Sequence, residues 1–379
     1  MRNFRIGSLL GIPIMVNPSW FILLGILTVV LASDVFPSSY DGNAFTYTVM
    51  ALGTALVFCA SIVLHELAHS VVARAYKLPV KDITLFVFGG VAQITKEATR
   101  PIAELLMAIA GPLTSLALGF AFFGVWAAMG SSEDRALDQI IFFLGATNIV
   151  VAVFNMLPAF PMDGGRVLRS LIWLIGGNYN WATQSAAWIG RLFAWAGIAI
   201  GFLALLGYDT PLASSQFNGV WLLFMGFFLE NAARQSLVQN RIREVLSRIK
   251  VKDVMVEDPP SLDPRVTVGM LARGAFQMNP RACYFIEDEG KLAGLISLFQ
   301  VAVVPKAEWD TMTAGEAMLP RALLTGTSAD RSLADVLQEM EQTNVSHLPV
   351  IAEGRVIGVI GRDRIIARLQ DAGLVRLPA

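Results

Sequence analysis

Histidine is scarce in this chain, with three in 379 residues. Cysteine is scarcer still: Cys59 and Cys283 lie far apart, and neither sits in a ligand-type cluster. That excludes a disulfide framework and fits a soluble part facing a reducing compartment. Charge is thin, at 16% Asp, Glu, Lys and Arg, and nets −1. Without a basic excess, no nucleic-acid partner is expected. Apolar residues fill the space, at 55%, which is too many for an ordinary soluble protein. The scarcity of charge is also uneven. Residues 1–249 hold 28 of the 59 charged residues, and residues 250–379 hold 31. A membrane part followed by a soluble part explains that split.

Six apolar segments are candidate spans. The first continues a run that begins near Ile12 and covers residues 20–32. Val30-Leu31-Ala32 loosely resembles a signal-peptide cleavage site, but the run is long and other spans follow, so a retained anchor is expected. The others are residues 47–75; 102–129, interrupted at Gly111-Pro112; a fourth from Ile140, broken across residues 155–165 and continuing to Gly176; 192–206; and 217–230. Residues 86–94 are too short to cross a bilayer as a helix. They read as two β-type runs flanking Gly89-Gly90, a hairpin or bulge. With six spans, 14 of the 15 basic residues before Lys250 fall on one side, leaving Arg135 on the other. The positive-inside rule makes that side the cytoplasm. The expectation is a multi-pass cell-membrane protein with its N-terminus and C-terminal region cytoplasmic.

Two of the three histidines stand in His65-Glu66-Leu67-Ala68-His69, within the second span. On a helix, residues four apart share a face, so His65 and His69 can point two imidazoles at one metal ion. Glu66, about 100° round the helix, can reach a water rather than the metal. This is the pattern of a zinc site with a general base. The bland alternative is a chance match on a buried helix. Three ionisable side chains in an apolar segment are costly unless functional, which argues against it.

A catalytic zinc usually takes three protein ligands. His347 lies in the last module, and Cys59, six residues before His65, faces away by about 240°. A carboxylate is therefore expected, and Asp163 is the best candidate. Its setting, Pro161-Met162-Asp163-Gly164-Gly165, unwinds a helix and lets backbone approach closely. The alternative for Asp163 is a helix N-cap for residues 164–176. Glu104 and Glu230 are rivals, each at a span end where a solvated carboxylate is unremarkable. Asn155, eight residues earlier, could donate to a developing oxyanion or satisfy the unwound backbone. Asn148 reads as a helix–helix polar contact.

From Lys250 the texture changes. Residues 266–296 and 331–360 form an internal repeat. Gly290-Lys-Leu-Ala-Gly-Leu-Ile296 aligns with Gly354-Arg-Val-Ile-Gly-Val-Ile360. This is a tandem α/β module. The expected boundaries are 1–240 for the membrane domain, 241–250 for a linker, and 251–306 and 307–379 for the two copies.

These motifs together resemble the site-2 protease family of intramembrane zinc metalloproteases, in the subgroup with six spans and a C-terminal pair of CBS domains. The resemblance rests on His65–His69, on Gly89-Gly90-Val91-Ala92, on Ala110-Gly111-Pro112 and on the run from Asn155 to Gly165. It implies a polytopic α-helical membrane protein of six transmembrane helices, with a small membrane-associated β-hairpin and an α/β CBS pair. It also implies one zinc ion held by His65, His69 and Asp163. Glu66 would be base and later proton donor, and Asn155 would help hold the substrate carbonyl. The substrate class would be membrane-anchored proteins, cut in regulated intramembrane proteolysis. Gly89 and Gly90 could position the unwound substrate along an open strand edge.

The CBS resemblance rests on Val345-Ser-His-Leu-Pro-Val350 and Gly358-Val-Ile360. Such pairs often bind adenine nucleotides through glycine, two apolar residues, Ser or Thr, two residues, then Asp. Here Gln300 replaces the acid in the first copy; in the second, Gly361 replaces the hydroxyl and Asp363 is displaced by one place. A nucleotide and a structural or homodimerising role both stay open. The competing functional class is a CBS-regulated transporter or channel. The absence of a repeat among the spans and the fit of the motifs to hydrolysis argue against it.

Overall fold

The computed structural model describes residues 3–38, 41–87, 89–130, 136–208, 210, 216–257, 260–278, 283–288, 291–324, 326–343, 345–352 and 355–374. Arg135, Asp209, Pro211, Gly290 and Gly354 lie outside them. The chain divides into two compact units, Met1–Leu237 and Val238–Ala379.

The first unit begins with strands. β1 (Phe4–Leu9) and β2 (Ile12–Val16) pair across Leu10-Gly11, whose φ angles of 51° and 75° suit a two-residue hairpin turn. Ile12, Ile14 and Val16 are buried while Pro13 and Met15 are half-buried, the period of two that a strand imposes. These residues therefore do not join the first span. Its helix, α1 (Trp20–Val30), has 11 residues and passes into one π turn, Leu31–Val35. At 1.5 Å per residue it is about 16 Å long, short of a bilayer core of about 30 Å.

α2 (Ala44–Ala75) is capped by Asn43, whose side chain accepts from the Thr46 N–H. β3 (Val80–Phe86) lies parallel to β2, and β4 (Gly89–Ile94) antiparallel to β3, completing a sheet in the order β1-β2-β3-β4. Gly89 and Gly90 open β4 opposite Phe86 and Leu85, rather than forming the tip of the turn. Ile12, Ile14 and Ile83 pack on Val63 and Leu67, pinning the sheet to the turn of α2 that carries the histidines.

α3 (Pro101–Ala128) runs unbroken through Gly111-Pro112, so the interruption expected there is absent. α4 (Ala136–Asn155) ends at the asparagine; after an irregular stretch come α5 (Asp163–Gly176), α6 (Tyr179–Leu205) and α7 (Gln216–Arg248). Among the described residues, α2, α3, α4 and α6 are long and apolar enough to cross a membrane. The apolar part of α7 continues as helix through Arg241–Arg248, where a linker was expected.

The second unit holds two sheets. The first copy opens with β5 (Val256–Glu257) and continues with β6 (Ser261–Leu262), α8 (Val268–Arg273), α9 (Ala275–Met278), β7 (Cys283–Asp288), β8 (Lys291–Ser297) and α10 (Leu298–Val303). α11 (Ala314–Ala317) and β9 (Leu319–Pro320) lead into the second, with α12 (Leu333–Thr343), β10 (His347–Ala352), β11 (Arg355–Gly361) and α13 (Arg362–Asp371). The sheets are ordered β6-β7-β8-β9 and β10-β11-β5. Each copy thus borrows a strand from the opening segment of the other, so the copies interlock. Cys283, Phe285, Leu295 and Val359 form a shared cluster between them.

Candidate metal centre

α2 presents His65 and His69 one turn apart, both 4% exposed. Asp163 arrives from the first turn of α5. Its Oδ2 lies 3.3 Å from His65 Nε2 and 3.2 Å from His69 Nε2, and the two Nε2 atoms are 3.2 Å apart. Among the described residues, these three form the one group of His, Cys, Asp or Glu able to share an ion. Four ligands at zinc–nitrogen and zinc–oxygen distances sit about 3.3 Å from one another in a tetrahedron. The triangle therefore fits a zinc ion with its fourth position open.

The other ring nitrogens are engaged. His69 Nδ1 lies 2.6 Å from the Met107 carbonyl, so it carries the proton and donates it; His65 Nδ1 is 2.8 Å from Ser115 Oγ. The carbonyl contact leaves His69 Nε2 free as the electron-pair donor, and the Ser115 hydroxyl holds the His65 ring with its Nε2 towards Asp163. Gly111 lies between these two positions on α3. A Cβ there would stand 2.2 Å from His69 Nε2 and 2.5 Å from His65 Nε2, so only glycine lets α3 come this close. Met107, Ser115 and the need for Gly111 as a cradle went unread in the sequence. Their shared signal is a spacing of four residues along one face of α3.

Asp163 is not an N-cap. Met162 holds that position without a side-chain cap bond, and Asp163 is the first helical residue. The glycines that follow are sterically required. A Cβ at Gly164 would meet the Met156 carbonyl oxygen at 2.3 Å, and one at Gly165 would meet the Ala159 backbone at 2.8 Å. The stretch after α4 thus folds onto the first turn of α5 and aims its carboxylate at α2.

The rival carboxylates are occupied elsewhere. Glu104 is 2% exposed, not solvated, and accepts from Arg169. Glu230 makes two 2.9 Å bonds to Arg191. Asn148 bridges α4 to α2, with its Nδ2 3.4 Å from Ser61 Oγ and 2.8 Å from the Leu144 carbonyl. Asn155 donates to the Val151 carbonyl at 3.0 Å, so here it serves the backbone of α4.

Glu66 leaves the ligand face and meets the sheet. Its Oε2 accepts the Ala92 N–H at 3.0 Å. β4 stands at the edge of the sheet, and this N–H bonds the Glu66 carboxylate. A Cβ on Gly90 would lie 2.8 Å from Glu66 Cγ, which explains a glycine at that position. The structure thus gathers two imidazoles, the Asp163 carboxylate and a second carboxylate, Glu66, around one turn of α2.

In the second unit, Ser297 Oγ and N–H both bond Gln300 Oε1, at 2.6 and 3.0 Å, in a helix-capping arrangement. Asp363 lies 3.9 Å from His347 across the end of β10.

Residues 53–133 and 125–198 match peptidase family M50, and residues 327–371 match the CBS domain. Two relatives are described as putative zinc metalloproteases. One, sll0528 of Synechocystis sp., is 35% identical over 98% of this chain and 96% of its own length. The other, Rip3 of Mycobacterium tuberculosis, is 29% identical over 97% and 92%. A solved structure, "Site-2 Protease from Methanocaldococcus jannaschii", is 26% identical, with a TM-score of 0.43 over 62% of this chain and 95% of that one.

Proposed function

The chain belongs to peptidase family M50, and from that premise we propose that it is a zinc metalloendopeptidase cutting membrane-anchored proteins within the bilayer. The observation that carries the reading is the ligand triangle of His65, His69 and Asp163, with Glu66 on the same helix turn as the histidines. These three residues would hold the zinc, which when bound supplies Lewis acidity and lowers the pKa of a water. Glu66 takes the proton from the attacking water and returns it to the leaving amine. The Ala92 N–H on Oε2 fixes that carboxylate against β4. Asn155 is assigned to the substrate carbonyl, a role that requires it to release Val151.

A substrate helix hides its carbonyls in its own hydrogen bonds and must unwind before attack. In this reading the open edge of β4 receives the unwound strand, and Gly89 and Gly90 let it lie close to Glu66. The proposed membrane domain is residues 1–240, with α1 and the apolar part of α7 completing six segments. The CBS copies, 251–306 and 307–379, stand in the cytoplasm and modulate cleavage through an adenine nucleotide or a homodimer. The proposed location is the cell membrane.

Glu66→Gln tests the central claim. The purified variant is expected to keep one zinc per chain and to lose all cleavage of a membrane-anchored reporter. Undiminished cleavage, or ion flux through liposomes without any proteolysis, would overturn it.

A further inference from the structure

Glu104, Arg166 and Arg169 have no part in the chemistry above, yet they form an ionic cluster around the buried Glu104 carboxylate. Both Arg169 Nε, at 2.9 Å, and Arg169 Nη2 donate to Glu104 Oε1. Arg166 Nε lies 3.9 Å from the same oxygen. The Arg169 guanidinium also stacks on Phe160, 5.2 Å from its ring centre, and on Tyr179 at 4.9 Å. It therefore touches α3, the irregular stretch before α5, and the start of α6. A carboxylate this buried is strongly unfavourable unpaired, so breaking the pair should have a large effect.

The position of Glu104 gives the cluster its meaning. Glu104, Met107, Gly111 and Ser115 are spaced three, four and four residues apart, within about 80° of arc on α3. Met107 fixes His69 and Ser115 fixes His65. Gly111 leaves room for both rings. The remaining position, Glu104, grips α5 six residues after Asp163. Arg169 brings two N–H groups of one planar guanidinium to Glu104 Oε1 while its face lies over Phe160 and Tyr179, a combination that lysine cannot reproduce.

We infer that Arg169, held by Glu104, is the positioning residue that sets Asp163 against the two imidazoles. One stripe of α3 thus places all three ligands, although it supplies none. The inference rests on the zinc reading above.

The test uses mild variants of the full chain in detergent. Arg169→Lys keeps the charge and loses the planar guanidinium; Glu104→Asp retracts the carboxylate by one methylene. Zinc dissociation constants are measured by chelator competition, alongside proteolysis at graded free zinc. Groups that orient metal ligands typically contribute 10- to 100-fold in affinity, and a weakening of roughly that size is expected for each variant. Added zinc should restore most of the lost proteolysis, which a general folding defect would not allow. Arg191→Lys, which loosens the α6–α7 pair to Glu230, is the control and should bind zinc as wild type does. If Arg169→Lys and Glu104→Asp bind zinc within twofold of wild type, the inference falls. A failure of wild type itself to bind zinc would instead sink the underlying metallopeptidase reading. Should a single variant not fold, the double variant with exchanged charges, Glu104→Arg with Arg169→Glu, decides. Zinc binding recovered above the surviving single variant supports the clamp, and no recovery overturns it.

Discussion

Replacing Gly111 by alanine adds one carbon where two imidazoles already lie. The new Cβ would stand 2.2 Å from His69 Nε2, 2.5 Å from His65 Nε2 and 2.6 Å from His69 Cε1. Non-bonded heavy atoms settle at about 3.5 Å or more, so the rings must retreat by about 1 Å. Zinc–ligand distances hold to within about 0.2 Å, so a retreat five times larger removes coordination. Helix propensity favours alanine over glycine by about 1 kcal/mol, and overpacking opposes it by about 1–3 kcal/mol. The net loss of stability is therefore small while the metal site loses its geometry. Gly124→Ala is the control, on the same helix with nothing within 4 Å of the added carbon. The assay is zinc content after dialysis against buffered free zinc, paired with thermal melting by circular dichroism. Gly111→Ala is expected to stay folded while zinc affinity falls more than roughly 100-fold, and Gly124→Ala to keep both properties. A folded Gly111→Ala protein retaining zinc within threefold of wild type would refute the cradle.

Two further outcomes follow from the same geometry. Val91→Pro should abolish proteolysis while leaving zinc bound, because proline cannot donate within a strand and the three ligands sit on α2 and α5; normal cleavage would exclude β4 from substrate binding. Cys283 is 8% exposed, and burial with Asp363 nearby pushes its thiol well above the usual range. In a Cys59→Ser background it should resist maleimide at pH 8 until the second unit is unfolded; rapid labelling of the native protein would contradict that burial.

The candidate metal-binding group was legible because its chemistry is tied to residue type. Two histidines four apart define one helix face, and with histidine so scarce the third ligand had to be sought among acids. Their supports were not legible, for distinct reasons. Met107 acts through its carbonyl, which any residue has. Ser115 in an apolar helix ordinarily bonds its own backbone. Glu104 sits at a span end, where solvent is the default partner, and its burial depends on Arg169, 65 residues later. The helices were partly legible. A hydropathy sum cannot separate a buried strand from a buried helix, so Ile12–Val16 read as part of the first span although it forms β2. Pro112 suggested a break, but α3 continues past it from Gly111 to Ala128. Gly89-Gly90 suggested a turn tip, yet Gly90 answers to the bulk of Glu66 rather than to the turn.

The stripe on α3 also bears on how this centre could drift over time or be transplanted. At position 107 the contact to His69 is a carbonyl, so a side chain that fills the same buried space as Met107 would leave that contact intact. Position 111 leaves no room for a side chain beside the two rings, and a change at position 104 is felt at 169. A grafting experiment that carried over only the ligand-bearing helices would reproduce every coordinating atom and still leave them unaligned. A portable unit would need α2, α3 and α5 together with residues 156–162, which pack on the first turn of α5, and one of its helices, α3, supplies no ligand at all.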